Sequence, residues 1–223
     1  MYLTNALLIS LALSVIPRVA PAQTLRLDSL DGLKLHKVAA KPVSFKGRQA
    51  LMVTEPAGAA QGEDRLVILS GSDFQDGVIE VDVAGQPGAG AAQGARGFVG
   101  IAFRVAADVS RFECFYLRPT NGRADDQVRR NHSAQYISFP DFPWPRLRKE
   151  FPEMYESYVD LVPGDWTQVK IEVRGRKARL FVHGAAQPTL LVNDLKLGET
   201  RGAIALWIGP GTDAHFANLR VSP

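Results

Sequence analysis

The chain has 223 residues and one cysteine, Cys114, which excludes an internally disulfide-stapled scaffold and leaves room for one large domain or two small ones. With 46% hydrophobic and 22% charged residues it lies in the ordinary globular range. A formal charge of +3, or +2 once Arg18 leaves with the N-terminal segment, is too mild for a nucleic-acid partner, and none is expected.

Residues 7–16 form an apolar run the length of a signal h-region and too short to cross a bilayer. Ala20-Pro21-Ala22 supplies an A-x-A cleavage site. Residues 1–22 are therefore expected to be a signal peptide and residues 23–223 a single domain exported to the periplasm or outside. No stable membrane insertion is expected after the signal is removed.

Short strands follow at 31–37, 50–54 and 65–69, with a Gly-, Pro- and Ala-rich turn at 56–62. Over 77–83, Ile79, Val81 and Val83 point one way while Val78, Glu80 and Asp82 point the other. Residues 85–97 read as a flexible loop. The stretch 97–118 reads as two neighbouring strands joined by a polar connection at Ala107, Asp108 and Ser110. Ile101, Phe103 and Val105 share a face opposite Arg104, and Phe112, Cys114, Tyr116 and Arg118 share a parity opposite Glu113. Cys114, alternating with two aromatics, reads as a small core or face residue.

Composition then changes. Residues 121–131 are polar and arginine-rich, and a short strand follows near 135–138. Residues 139–165 form a long connection rich in Pro and aromatics, with at most a helical turn near 147–155. A connection this long is functional or disordered, and its aromatic content argues against disorder. Alternation resumes at Trp166, with Thr167, Val169, Ile171 and Val173 facing inward, and further strands lie at 177–182, 189–192, 203–208 and 215–221. About a dozen short strands without sustained helical periodicity predict an all-β sandwich.

Three stretches carry a resemblance: Asp-Gly-Val-Ile-Glu-Val-Asp-Val at 76–83, Gly-Phe-Val-Gly-Ile-Ala-Phe-Arg at 97–104, and Pro-Gly-Asp-Trp-Thr-Gln-Val-Lys-Ile-Glu-Val-Arg-Gly at 163–175. With the ending Gly-Ala-Ile-Ala-Leu-Trp and Phe216-Ala217-Asn218, the chain resembles the concanavalin A-like lectin and glucanase superfamily over most of 30–221. Its nearest branches are the 3-keto-disaccharide hydrolase-like and laminin-G-like ones. The resemblance implies a two-sheet antiparallel jelly-roll β-sandwich holding a carbohydrate or glycoside on its concave face. It implies either a glycoside hydrolase, of 3-keto-glycosides in particular, or a non-catalytic lectin, adhesion or protein-interaction module. The laminarinase pattern E-x-D-x-x-E is only half present: Glu80-Val81-Asp82 is followed by Ala84 and Gly85, so the second glutamate is missing.

The 3-keto-disaccharide hydrolase-like branch has an arginine ending one strand and an acid on the next, and Arg104 and Glu113 match that arrangement. Glu113 and His132 are accordingly the candidate acid/base residues. Arg104, Tyr116, Arg118, Arg130, Gln135, Tyr136 and Trp144 are the candidate substrate-binding residues. Arg104 reads equally well as an ordinary outward-facing strand residue. Residues 118–149 carry seven Lys or Arg against three Asp, interleaved with aromatics, which suits an anionic glycan. They also read as a solvated loop held by its own Arg–Asp pairs. His132 lies among arginines that favour its neutral form. Without H-E-x-x-H or a cysteine pair, catalytic zinc is not expected. No cofactor is predicted, and calcium at Asp125 and Asp126, or at Asp73 and Asp76, has too few ligands for support.

Overall fold

The computed structural model describes residues 22–56, 58, 62 and 64–223, so the expected signal segment lies outside the described residues except for Ala22. Strands β1 (Gln23–Leu25), β2 (Leu33–His36), β3 (Ala39–Phe45), β4 (Arg48–Thr54) and β5 (Leu66–Leu69) precede the long β6 (Gly77–Pro87). Then come β7 (Val99–Val105), β8 (Phe112–Leu117), the helix α1 (Gln127–Asn131), β9 (Ala134–Phe139), the helix α2 (Trp144–Glu150) and β10 (Glu156–Ser157). Strands β11 (Thr167–Arg174), β12 (Lys177–Val182), β13 (Leu190–Val192), β14 (Ala203–Ile208) and β15 (Thr212–Ser222) complete the chain. Among the described residues no helix is long and apolar enough to cross a membrane.

Two antiparallel sheets result. One runs β13-β12-β11-β6-β15-β4-β3 with β1 added to β15, and the other runs β10-β9-β8-β7-β14-β5-β2. The period-two pattern decides the inner face of the first. Ile79, Val81 and Val83 are 0, 2 and 1% exposed and pair in register with Ile171, Val169 and Thr167. Burying each such Val or Ile side chain contributes about 1.5–3 kcal/mol. Strand β3 escaped the sequence reading because Pro42 interrupts it. An edge strand tolerates proline, since one side of it needs no ladder donor. Strand β6 also runs further than expected: Gly85, Gln86 and Pro87 pair with Ala214, Asp213 and Thr212, which shortens the anticipated loop.

The second sheet departs from simple alternation, because β7 and β8 are buried on both faces. Residues 140–158 return to the free edge of β9, where Phe142 bridges Ser138 and β10 adds the last strand, with Leu147 of α2 in the core and the Tyr155 carbonyl accepting from Tyr136 N and Gln135 Nε2. Lys196, in the connection before β14, pins this segment. Its ammonium lies 4.5 Å from the Phe151 ring centre, 4.8 Å from that of Tyr155 and 5.3 Å from that of Phe142, with Asp194 at 2.7 Å. Cation–π contacts in a desolvated site each contribute on the order of 0.5–2 kcal/mol.

A β-bulge ends β7. Ala205 pairs with Ala102 and Ala203 with Val105, so Phe103 and Arg104 together oppose Ile204. Arg104 adopts φ 54°, a left-handed conformation costing about 1–2 kcal/mol for a residue with a Cβ. Ile101 and Phe103 keep the expected common face, in register with Phe115 and Glu113, and the irregularity falls at Arg104.

Candidate functional site

One cross-strand row organises the outer face of the seven-stranded sheet. Trp207 pairs with Gly100, Gly100 with Tyr116, Tyr116 with Gln135, and Gln135 with Glu156. A Cβ on Gly100 would overlap the Phe115 carbonyl and Tyr116, so only glycine lets the Tyr116 and Trp207 rings close to 4.7 Å.

Arg118 follows β8 with the parity of Tyr116 and lies over this row. Its guanidinium donates to Glu156 Oε1 and the His132 carbonyl, both at 2.9 Å, to Tyr116 Oη at 2.9 Å and to Gln135 Oε1 at 2.8 Å. Glu156 also accepts from Arg148, through Nε at 2.9 Å and through Nη2. Burial pushes the Glu156 carboxyl up, but the hydrogen bonds and charges of Arg148 and Arg118 outweigh it and hold the carboxyl below its usual value. The result is a buried carboxylate committed to two guanidiniums.

Beside this network opens a cleft of about 340 Å³, walled by Phe98 and Trp144 and lined by Arg96, Arg118, Arg129 and Arg148 together with His132 and Asn121. Four guanidiniums line the cleft against the buried Glu156 carboxylate, a local excess of positive charge with His132 neutral. Burial, followed by the neighbouring Arg129 and Arg118 charges, pulls Arg96 below the usual guanidinium value. It stays charged, so the repulsion is a field that an anion relieves. Asn121 is 5% exposed, and its Oδ1, like Arg129 Nε, makes no hydrogen bond within the protein. Such groups are satisfied by a ligand or by water.

His132 ends α1, whose first turn is capped by the Asp126 side chain accepting from Arg129 N. Its ring, 15% exposed, places Nε2 3.6 Å from Glu156 Oε2. Burial lowers its pKa first, Arg148 and Arg118 lower it further, and Glu156 and Glu153 oppose them. The neutral ring therefore dominates at neutral pH.

The expected site residues divide. Arg118, His132 and Trp144 line the cleft, and Tyr116 and Gln135 lie beneath Arg118, which they orient. Four others are corrected. Arg104 is 1% exposed, and its donors are used by the carbonyls of Gln75, Gly175 and Gly198 and by Asp76, because the bulge turns it inward. Glu113 has the opposite parity to Tyr116 and is buried behind the sheet, accepting from Tyr136 Oη at 2.7 Å and Leu197 N at 2.8 Å. Burial raises its pKa despite those donors. Tyr136 shares that inner face and accepts from Lys196 N. Arg130 lies outside the cleft on the exposed Tyr158 ring. The carboxylates suggested for calcium have other partners where these are seen: Asp126 caps α1, Asp76 accepts from Gly175 N, and Asp73 pairs with Arg201.

Sequence reasoning missed Arg96, Phe98, Asn121, Arg129, Arg148 and Glu156 as site residues. The local arginine excess was the available signal. So many guanidiniums near one buried strand end need a buried carboxylate, and Glu156 is among the nearest acids in sequence.

No protein-family model and no curated protein matches the chain. Solved structures do. The carbohydrate-binding module CBM66 from Bacillus subtilis superposes with a TM-score of 0.58 at 13% identity, covering 86% of this chain and 96% of that one. A Bacillus subtilis protein of unknown function with a galectin-like fold gives 0.59 at 12% identity, covering 92% and 97%. A Crh5 transglycosylase in complex with NAG gives 0.51 at 15% identity, covering 92% and 84%. At such identities the likeness shows the fold alone, the two-sheet, concanavalin A-like jelly-roll sandwich expected from the sequence.

Proposed function

We propose that this chain is an exported carbohydrate-binding protein whose cleft takes an anionic glycan bearing carboxylate or sulfate groups. The observation that carries the reading is four guanidiniums gathered between the Phe98 and Trp144 rings around a partly unsatisfied Asn121. Aromatic walls receive the apolar faces of sugar rings, and guanidinium forks match carboxylate and sulfate oxygens. The cleft volume of about 340 Å³ suits a short saccharide unit rather than a long groove-bound chain. The fold is shared with CBM66, a carbohydrate-binding module, and with a transglycosylase bound to NAG, which supports a sugar as the ligand class. Export rests on the apolar run and A-x-A site of residues 1–22. Of the residues expected for a 3-keto-glycoside hydrolase, His132 is within reach of a ligand in the cleft, whereas Arg104 and Glu113 are not.

The test is calorimetric titration of the mature chain with acidic oligosaccharides and their carboxyl-reduced or desulfated counterparts, at low and high salt. The acidic ligands are expected to bind, with affinity falling as salt rises. Equal affinity for both series, or none for either, overturns the proposal. Recovery of a protein beginning at Gln23 from outside the cytoplasm checks export, and retention of residues 1–22 on a cytoplasmic protein overturns it.

A further inference from the structure

The cleft is unsuited to cleavage by two carboxylates. That chemistry needs a pair of carboxyl groups roughly 5–9.5 Å apart on either side of the scissile bond. Among the described residues Glu156 and Asp126 are the carboxylates bonded to residues of the cleft: Arg118 and Arg148 hold Glu156 ionised, and Asp126 is engaged in capping α1. What the cleft does offer is an imidazole facing a concentrated positive field.

The backbone of His132 is fixed from two sides, its carbonyl accepting from Arg118 Nη1 and from Asn121 Nδ2 at 3.1 Å. His132 Nε2 lies 3.6 Å from Glu156 Oε2, beyond hydrogen-bond reach, and the neutral ring keeps one nitrogen lone pair whichever tautomer it takes. Arg96 and Arg129 line the same cleft, and Arg129 Nε has no partner within the protein. A carboxylate drawn to these guanidiniums loses much of its negative charge. The C–H bond next to it then becomes far easier to ionise, since the developing carbanion spreads onto oxygens that are already neutralised.

Resting on the binding reading above, we propose that the cleft also cleaves its ligand by β-elimination, with 4-linked uronate glycans as the substrate class, His132 as base and Arg96 and Arg129 as the carboxylate clamp. His132 takes the C5 proton. The C5–H electron pair forms the C4=C5 double bond, and the C4–O4 bond breaks with its electrons leaving on oxygen. The imidazolium returns its proton to that oxygen, which restores the neutral ring. The products are a 4,5-unsaturated uronate end and a free hydroxyl on the departing sugar, and no water or oxidant is consumed.

The test uses the mature chain with polygalacturonate, alginate and carboxyl-reduced polygalacturonate. It follows the ultraviolet absorbance of the conjugated double bond alongside calorimetric binding. Absorbance is expected to grow with at least one acidic polymer and not with the reduced one. His132→Ala and His132→Gln should each lower kcat about 10²–10⁴-fold while leaving KM within about threefold, with wild-type melting temperatures showing that they fold. Arg129→Gln should lower kcat as well as raise KM, because the clamp both binds the carboxylate and stabilises the charge that develops on it. Binding of an acidic polymer without any absorbance change overturns the elimination and leaves the binding reading standing. New reducing ends without absorbance mean hydrolysis and also overturn it. Absence of both binding and turnover overturns the elimination, and overturns the binding reading too once the sulfated ligands of the calorimetric series also fail to bind.

Discussion

Replacing Glu156 by Gln tests the centre of the site directly. The change keeps shape and removes one charge, leaving Arg118, whose side chain is 5% exposed, without its counter-ion. Removing one partner of a buried ion pair costs about 3–5 kcal/mol. Two features place this case near the lower end. Arg118 retains Tyr116, Gln135 and the His132 carbonyl, and Arg148 is about a third exposed, so water takes over much of its charge. A loss of about 3 kcal/mol corresponds to a fall in Tm of roughly 6–12 °C at this chain length. Urea unfolding and thermal melts at neutral pH measure it, with Glu150→Gln, in an exposed pair with Arg146, as a control expected to shift by less than about 1 kcal/mol. The wild-type contribution also depends on pH. Because the folded carboxyl titrates below its ordinary value, its stabilisation is present above the ordinary carboxylate range and is lost as pH falls through the depressed folded value. The variant should lack this acid-side slope. A Glu156→Gln protein melting within about 2 °C of wild type would refute the buried Arg118–Glu156 pairing.

Three further outcomes follow from the same geometry. Arg104→Met strips the carbonyls of Gln75, Gly175 and Gly198 of their donor and should cost about 3 kcal/mol or more, measured by urea unfolding, with glycan affinity unchanged in the folded protein; weakened affinity at unchanged stability would restore Arg104 as a ligand-binding group. Glu113→Gln should leave binding unchanged and shift neutral-pH stability by no more than about 1 kcal/mol, because relief from ionising a buried carboxyl offsets the poorer partner for Tyr136; since burial raises its folded pKa, the penalty it removes is absent below the ordinary carboxylate range and develops as pH rises through the raised value. Trp144→Ala removes a wall of the cleft and should weaken calorimetric affinity for the acidic ligand about tenfold, the loss of one aromatic contact of about 1–1.5 kcal/mol, and unaltered affinity would show that sugars do not touch that ring.

The sandwich was legible wherever one face of a strand is wet. Alternation over 78–83 and 167–173 names the inward side chains correctly because only one face of those strands is buried. In β7 and β8 it fails to name a side, since both faces are covered and each parity looks equally apolar. Glu113 was assigned the right parity, but nothing local says that this parity faces the other sheet. Arg104 was misread for a different reason: a bulge changes direction by one residue and leaves no mark in composition. Helices of five and seven residues are too short to display a 3.6-residue period, so α1 and α2 were hidden. The candidate site was legible as chemistry, arginines with aromatics and an imidazole over 118–149, but not as a place. It assembles from loops near 96 and 121, the two short helices and the edge strand at 156, which only the packed sheets bring together.

The ring-enclosed ammonium of Lys196 has a bearing on how quickly a ligand is captured. By tying Phe142, Phe151 and Tyr155 to the connection ahead of the last two strands, it anchors the segment that carries Trp144 and Arg148 of the cleft. Ligands that must first order a loop lose roughly 0.5–1.5 kcal/mol for each side chain they immobilise. On the proposed reading, an acidic glycan would meet walls already in place, and rising salt would slow its association.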